Sequence, residues 1–311
     1  MEKSVTEWII FGVIIITLLI FDLGVLNRKN KPMTFGYSLS LSLFYFTVAS
    51  LFSIYIYYHL GAERTKEYFT GFLIEKAMSL DNIFVISIVF RFFAIPQSLQ
   101  HRVLFWGIIG VIISRAFLIA LGSTLVKEFS WILYVFAIVL IITGCKIFYV
   151  AEKEFDIKEL YIYKWLQKHL NILPELHGNK FFVILNSTLY ATPLFVALII
   201  VESMDVVFAI DSIPAIFAIT NDPYIVYTSN IFAILGLRAL FFCLADIVKR
   251  FRYVKYAIAI LLVVIGIKII LAHFIKIPTI VTLAITVGIL LLGVLISIIK
   301  GKKEKSVVAY K

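Results

Sequence analysis

Residues 193–219 read PLFVALIIVESMDVVFAIDSIPAIFAI, a run long and apolar enough to cross a bilayer that nonetheless carries Glu202, Asp205 and Asp211. A hydrocarbon core about 30 Å thick takes roughly 20 helical residues at about 1.5 Å each. An aspartate at the centre of such a helix costs about 2.5–3.5 kcal/mol on insertion scales. Three acids in one span therefore demand cationic side chains, protons or a metal ion as partners. The rest of the chain is built the same way. Apolar runs occur at 8–26, 36–59, 69–90, 103–122, 129–150, 193–219, 224–245, 254–272 and 278–299.

The 311 residues are 62% hydrophobic and 15% charged, with a mean hydropathy of +1.01. Soluble domains run about 45–50% apolar and about 25% charged, so the composition sets aside soluble enzymes and nucleic-acid binders. The expected partners are the lipid bilayer and, from the acidic spans, a metal cation substrate, with no nucleic acid. Self-association into a homo-oligomer is compatible with the pattern. The formal charge of +10 is read as loop charge that orients the chain. With nine spans and an outside N-terminus, 20 lysines and arginines fall inside and 5 outside, as the positive-inside bias requires.

The fold class predicted is thus an all-α polytopic membrane protein, a single integral membrane domain over 1–311 with nine transmembrane helices, N-out and C-in. The run 181–192 is too short to span and reads as an interfacial or re-entrant piece. The connector 151–180 reads as a cytoplasmic amphipathic segment whose helix lies on the inner surface. Cys145 and Cys243 lie in apolar runs without a CxxC pairing and read as buried small residues.

Charged residues inside the spans repeat. Asp81 to Arg115 is 34 positions and Asp205 to Arg238 is 33; Arg115 to Lys146 is 31 and Arg238 to Lys268 is 30. Neighbouring words match as well: DNIFVI with DVVFAI, SRAFL with LRALF, TGCKIF with IGIKII. Spans three to five (69–150) then correspond to spans six to eight (193–272). An odd number of crossings inverts one copy against the other, an arrangement that recurs in secondary transporters with a polar site where the copies meet.

Two segments carry the chemistry, EKAMSLDN at 75–82 and ESMDVVFAIDSIP at 202–214. Glu75, Ser79 and Asn82 share a helical face, as do Glu202 and Asp205. Asp211 points away from Glu202 on a straight helix, but Pro214 is expected to kink or open the turn that holds Asp211. Six acids (Asp22 and the five at 75, 81, 202, 205 and 211) face Lys76, Arg115, Arg238 and Lys268, an excess of two negative charges. One divalent cation would cancel it. The candidate ligands are Glu75, Asp81, Asn82, Glu202, Asp205 and Asp211, with Asp22, Arg115, Arg238 and Asn230 in support. All are oxygen donors apart from the two arginines, which suits Mn²⁺, Mg²⁺ or Ca²⁺. Met78 and Met204 adjoin the acids, and the five histidines all sit at span ends or in loops.

The motifs FDLGVLNRK (21–29), EKAMSLDNIFV (75–85), VESMDVVFAIDSIPAIFAIT (201–220) and TSNIFAILGLRALFF (228–242) resemble the TerC family, named for tellurium resistance. The resemblance covers about 8–300. It implies a multi-pass inner-membrane protein moving Mn²⁺ out of the cytoplasm, with Glu75, Asp81, Glu202, Asp205 and Asp211 as motif positions and Asp22 in the first-span motif. The expectation is a non-enzymatic secondary transporter of divalent cations, Mn²⁺ first, with no resident cofactor and a role for protons in coupling. The rival is an interaction protein in membrane biogenesis or tellurite resistance that transports nothing. An intramembrane aspartyl protease lacks its GxGD setting here, and no P-loop offers ATP-driven pumping.

Overall fold

The computed structural model describes residues 5–22, 35–129, 131–150, 156–244, 254–271 and 278–308. In chain order the elements are α1 (Val5–Phe21), α2 (Phe35–Phe92), α3 (Gln97–Glu128), α4 (Ile132–Val150), α5 (Tyr161–His169), strands β1 (Phe182–Leu185) and β2 (Thr188–Ala191), then α6 (Pro193–Phe217), α7 (Pro223–Leu235), α8 (Leu237–Leu244), α9 (Val254–Leu271) and α10 (Thr279–Val308). Among the described residues, five helical stretches are long and apolar enough to cross a membrane: 35–92, 97–128, 193–217, 223–242 and 279–297. Two shorter apolar helices, 5–21 and 132–147, accompany them.

Helix α2 holds two of the expected apolar runs. Its 58 residues would extend far beyond one bilayer, but Gly61, at φ 87° and ψ 170°, breaks the helix. Only glycine takes that backbone geometry without a Cβ penalty. The chain doubles back there: the Tyr68 hydroxyl donates to the Ala49 carbonyl at 3.2 Å, and the Phe46 and Phe72 rings lie 5.6 Å apart. A buried aromatic cluster of Phe11, Phe52, Tyr68, Tyr224 and Phe232 ties this hairpin to α1 and α7.

Helices α4 and α9 cross with their backbones almost touching. A Cβ on Gly144 would lie 2.7 Å from the Ala259 carbonyl oxygen and from Val263; one on Gly266 would lie 2.7 Å from the Ala137 carbonyl oxygen and from Ile141. These contacts are reciprocal, since 144 and 266, 137 and 259, and 141 and 263 are each 122 positions apart. Each helix offers the other the same surface, as across a two-fold axis, and small residues permit the close approach.

Four local expectations are corrected. Cys145, expected to be buried, is exposed on α4. Helix α6 continues through Asp211 and Pro214 to Phe217, so the turn holding Asp211 is not opened, although Pro214 leaves the Ile210 carbonyl without its usual i+4 donor. The interruption comes at Gly236, between α7 and α8. Residues 182–191 form an antiparallel β-hairpin, so the chain is not purely helical; Asn186 and Ser187 both adopt positive φ (48° and 60°), the geometry of a tight two-residue turn. Finally, the connector helix is only nine residues long. Its apolar side (Ile162, Tyr163, Leu166) packs with Ile157 onto a core of α2, α3 and α6 residues, so protein and not lipid covers that face.

Candidate cation site

Arg115, fully buried in α3, is the centre of the polar interior. Its Nε donates to Asp205 Oδ2 at 3.1 Å and its Nη2 to Asp205 Oδ1 at 3.2 Å, a forked pair. Its Nη1 donates to Ser212 Oγ at 2.9 Å and to Asn230 Oδ1 at 3.2 Å, and lies 3.0 Å from Glu75 Oε1. Asn230 Nδ2 donates to Glu75 Oε2 at 3.0 Å, and Asn82 Nδ2 donates to Asp205 Oδ1 at 3.2 Å. Four helices therefore meet at one guanidinium.

Helical spacing delivers these groups. Glu75 and Asn82 are seven apart on α2, and Asp205 and Ser212 are seven apart on α6, so each pair shares a stripe. Asn230 is carried two turns into α7, whose start is fixed by Pro223 and by the Asp222 carboxylate accepting from the Tyr224 amide at 3.1 Å.

Glu202 lies one turn from Asp205 but outside Arg115's hydrogen bonds. Its carboxylate lodges against a glycine slot on α3: a Cβ on Gly107 would sit 3.1 Å from Oε1, and one on Gly110 2.6 Å from Cδ. Glu202, Asn82, Met204 and Asp205 line a cavity of about 40 Å³ walled by Val85, Ile86 and Leu104, room for about three waters. Glu202 Oε1 and Asn82 Oδ1 are buried and, among the described residues, have no hydrogen-bond partner. Such orphaned acceptors are costly, and a cation or water in the cavity would satisfy them.

The remaining predicted residues are placed elsewhere or lie outside the description. Asp211 is not brought to Arg115; its Oδ1 accepts from Thr143 Oγ1 of α4 at 2.9 Å. Asp22 is buried at the end of α1. Asp81 and Arg238 belong to α2 and α8, but their side chains lie outside the described residues. The lysines counted against the acids do other work. Lys76 Nζ donates to the Ala233 carbonyl at 3.0 Å and Lys268 Nζ to the Ala218 carbonyl at 3.4 Å, so each caps the C-terminal end of a helix. Met78 packs in a hydrophobic cluster, whereas Met204 faces the cavity. Among the described residues, no three carboxylate, imidazole or thiolate groups converge as a preassembled metal centre.

Sequence reasoning missed the glycine slot and Thr143. The slot has a signal, the GIIG at 107–110 in an otherwise bulky span; Thr143 has none. A second opening, a vestibule of about 1550 Å³, lies toward the chain segments 64–67, 123–128 and 217–224. There Arg64 Nη1 donates to Glu67 Oε2 at 2.7 Å and to Thr220 Oγ1 at 3.1 Å.

The family model described as integral membrane protein TerC family matches residues 60–305. A relative from Rickettsia bellii, named only as a membrane protein, is 62% identical over 94% of this chain and 97% of its own. A relative from Escherichia coli, provisionally named membrane-bound redox modulator Alx, is 41% identical over 93% of each chain. One from Photorhabdus laumondii with the same name is 41% identical over 87% of this chain and 88% of its own. No solved structure matches.

Proposed function

The chain belongs to the TerC family of integral membrane proteins, and we propose that it is a secondary transporter exporting a divalent cation, Mn²⁺ first, through the Arg115 cluster and its adjoining cavity. The observation that carries this reading is a local charge imbalance beside unsatisfied oxygens. Glu75 and Asp205 pair with one guanidinium, and Glu202 lines the adjoining cavity one turn from Asp205 without a cationic partner, so among the described side chains the cluster carries two negative charges in excess when all three acids are ionised. One divalent ion cancels that excess, and Asn82 Oδ1, Glu202 Oε1 and Asp205 offer it hard oxygen donors.

Arg115 would act as a resident counter-charge. With the cavity empty it holds Glu75 and Asp205 in place; an arriving cation competes with it for Asp205, and the pocket reorganises around the ion. Access from one side at a time would come from the two halves rocking against each other, with spans 69–150 opposed to 193–272. The reciprocal Gly144 and Gly266 contacts support that pairing. In this reading the chain crosses nine times, N-out and C-in in the inner membrane: the two arms of α2 count separately, and α7 with α8 form one interrupted span. Protons replacing the cation on the carboxylates would couple the cycle.

In cells loaded with manganese, Asp205→Asn is expected to raise intracellular manganese toward the level of cells lacking the protein. Manganese held as low as by the wild type would exclude Asp205 from the path. Function that survives neutralisation of the acids but fails on disruption of 156–180 would favour the interaction-protein reading.

A further inference from the structure

The β-hairpin is the one described element that transport does not explain. Cross-strand partners in an antiparallel pair point to the same side, and residues two apart along a strand do too. Ile184 pairs with Leu189, and Phe182 with Ala191, so Phe182, Ile184 and Leu189 share one face. That face is open, with Ile184 71% and Leu189 58% exposed. The base of the hairpin is tied to residues 171–173 through Ala191, but its far end is a two-stranded ribbon carrying a bare aliphatic pair, which water disfavours.

The position of the face says what covers it. The Phe182 ring packs on Phe195, with centroids 4.3 Å apart. Phe195 begins a helical stripe on α6 that rises through Ile199 and Ser203 to Val206, Val207 and Ile210, all three outward-facing on a membrane-crossing helix. The hairpin therefore prolongs the lipid-facing side of α6 beyond its N-terminal end. Basic groups flank it: Lys180 enters β1, and the Arg102 guanidinium lies 5.0 Å over the Phe181 ring. The tip, Asn186 and Ser187, is polar. Strand edges with open N–H and C=O groups cannot enter hydrocarbon, which limits the hairpin to the headgroup level.

We propose that the β1–β2 hairpin is a lipid-interface anchor, its Phe182–Ile184–Leu189 face resting on phospholipid at the headgroup–acyl boundary. The anchor is joined directly to the site-bearing helix. The Thr192 amide donates to the Phe181 carbonyl at 2.9 Å and the Thr192 hydroxyl to the Lys180 carbonyl at 2.8 Å, one residue before α6 begins. It thereby sets the depth of α6, and with it of Glu202 and Asp205.

The test uses the full chain in phospholipid nanodiscs with Cys145→Ser and Cys243→Ser, and a bimane fluorophore on a single cysteine introduced by Ile184→Cys or Leu189→Cys. Val207→Cys gives the lipid reference and Glu175→Cys the aqueous one. Nitroxide lipids labelled near the headgroup should quench positions 184 and 189 several-fold more than position 175, and iodide should reach them several-fold less. Quenching by iodide equal to that at 175 would place the face in water and overturn the proposal. Protection from both quenchers would mean that protein, a second copy included, covers it, and would overturn it equally.

Discussion

Arg115 carries two opposed burdens. A guanidinium and two carboxylates inside a membrane are expensive to desolvate, and the network offsets that only while every arm is engaged. Arg115→Met would leave Glu75 and Asp205 as buried charges without their counter-ion, a loss of about 3–5 kcal/mol. The purified variant should unfold at a clearly lower temperature in detergent; an unchanged melting point would show the pairing to be dispensable. The glycine slot makes a different prediction. In Gly110→Ala the new methyl would stand 2.6 Å from Glu202 Cδ, so the carboxylate must leave its slot. Because a side-chain end can move, stability should fall only modestly, by about 1 kcal/mol at the low end of the overpacking range, while manganese transport is lost. Transport at the wild-type rate would remove Glu202's placement from the account.

At the scale of elements, the α4–α9 crossing is the firmest test of internal symmetry. Gly144→Ala and Gly266→Ala each drive a methyl into a backbone carbonyl at 2.7 Å, which cannot yield as a side chain can, so each should cost about 1–3 kcal/mol. Reciprocity predicts similar losses, read as equal shifts in thermal unfolding; one variant left unaffected would break the two-fold relation. Much at this scale was legible beforehand. The apolar runs marked the helices, and the seven-residue spacing of Glu75 and Asn82 marked a shared face because helical periodicity is local. What escaped depended on contacts across the fold. Pro214 looked like the breaker, yet α6 continues past it to Phe217, and the interruption comes instead between α7 and α8 at Gly236, where a Cβ would lie 2.7 Å from Lys76 Nζ. Asp211 answers to Thr143, 68 positions earlier, a partnership that no local pattern announces. The hairpin hid in a short apolar run because tight turns built on Asn-Ser lack the usual glycine.

Across the whole molecule there are two openings: a small cavity lined by Asn82, Glu202 and Asp205 of the polar centre, and a wide vestibule where Arg64 joins Glu67 and Thr220. The most direct measurement is uptake of radioactive Mn²⁺ into proteoliposomes containing the wild type or Asp205→Asn, with Ca²⁺, Mg²⁺ and Zn²⁺ as competitors and an imposed pH gradient. Wild-type vesicles should show saturable, gradient-dependent uptake that falls by roughly 10–100-fold in the variant. Uptake by wild-type vesicles no greater than by protein-free ones, or undiminished in Asp205→Asn, would contradict transport through this site.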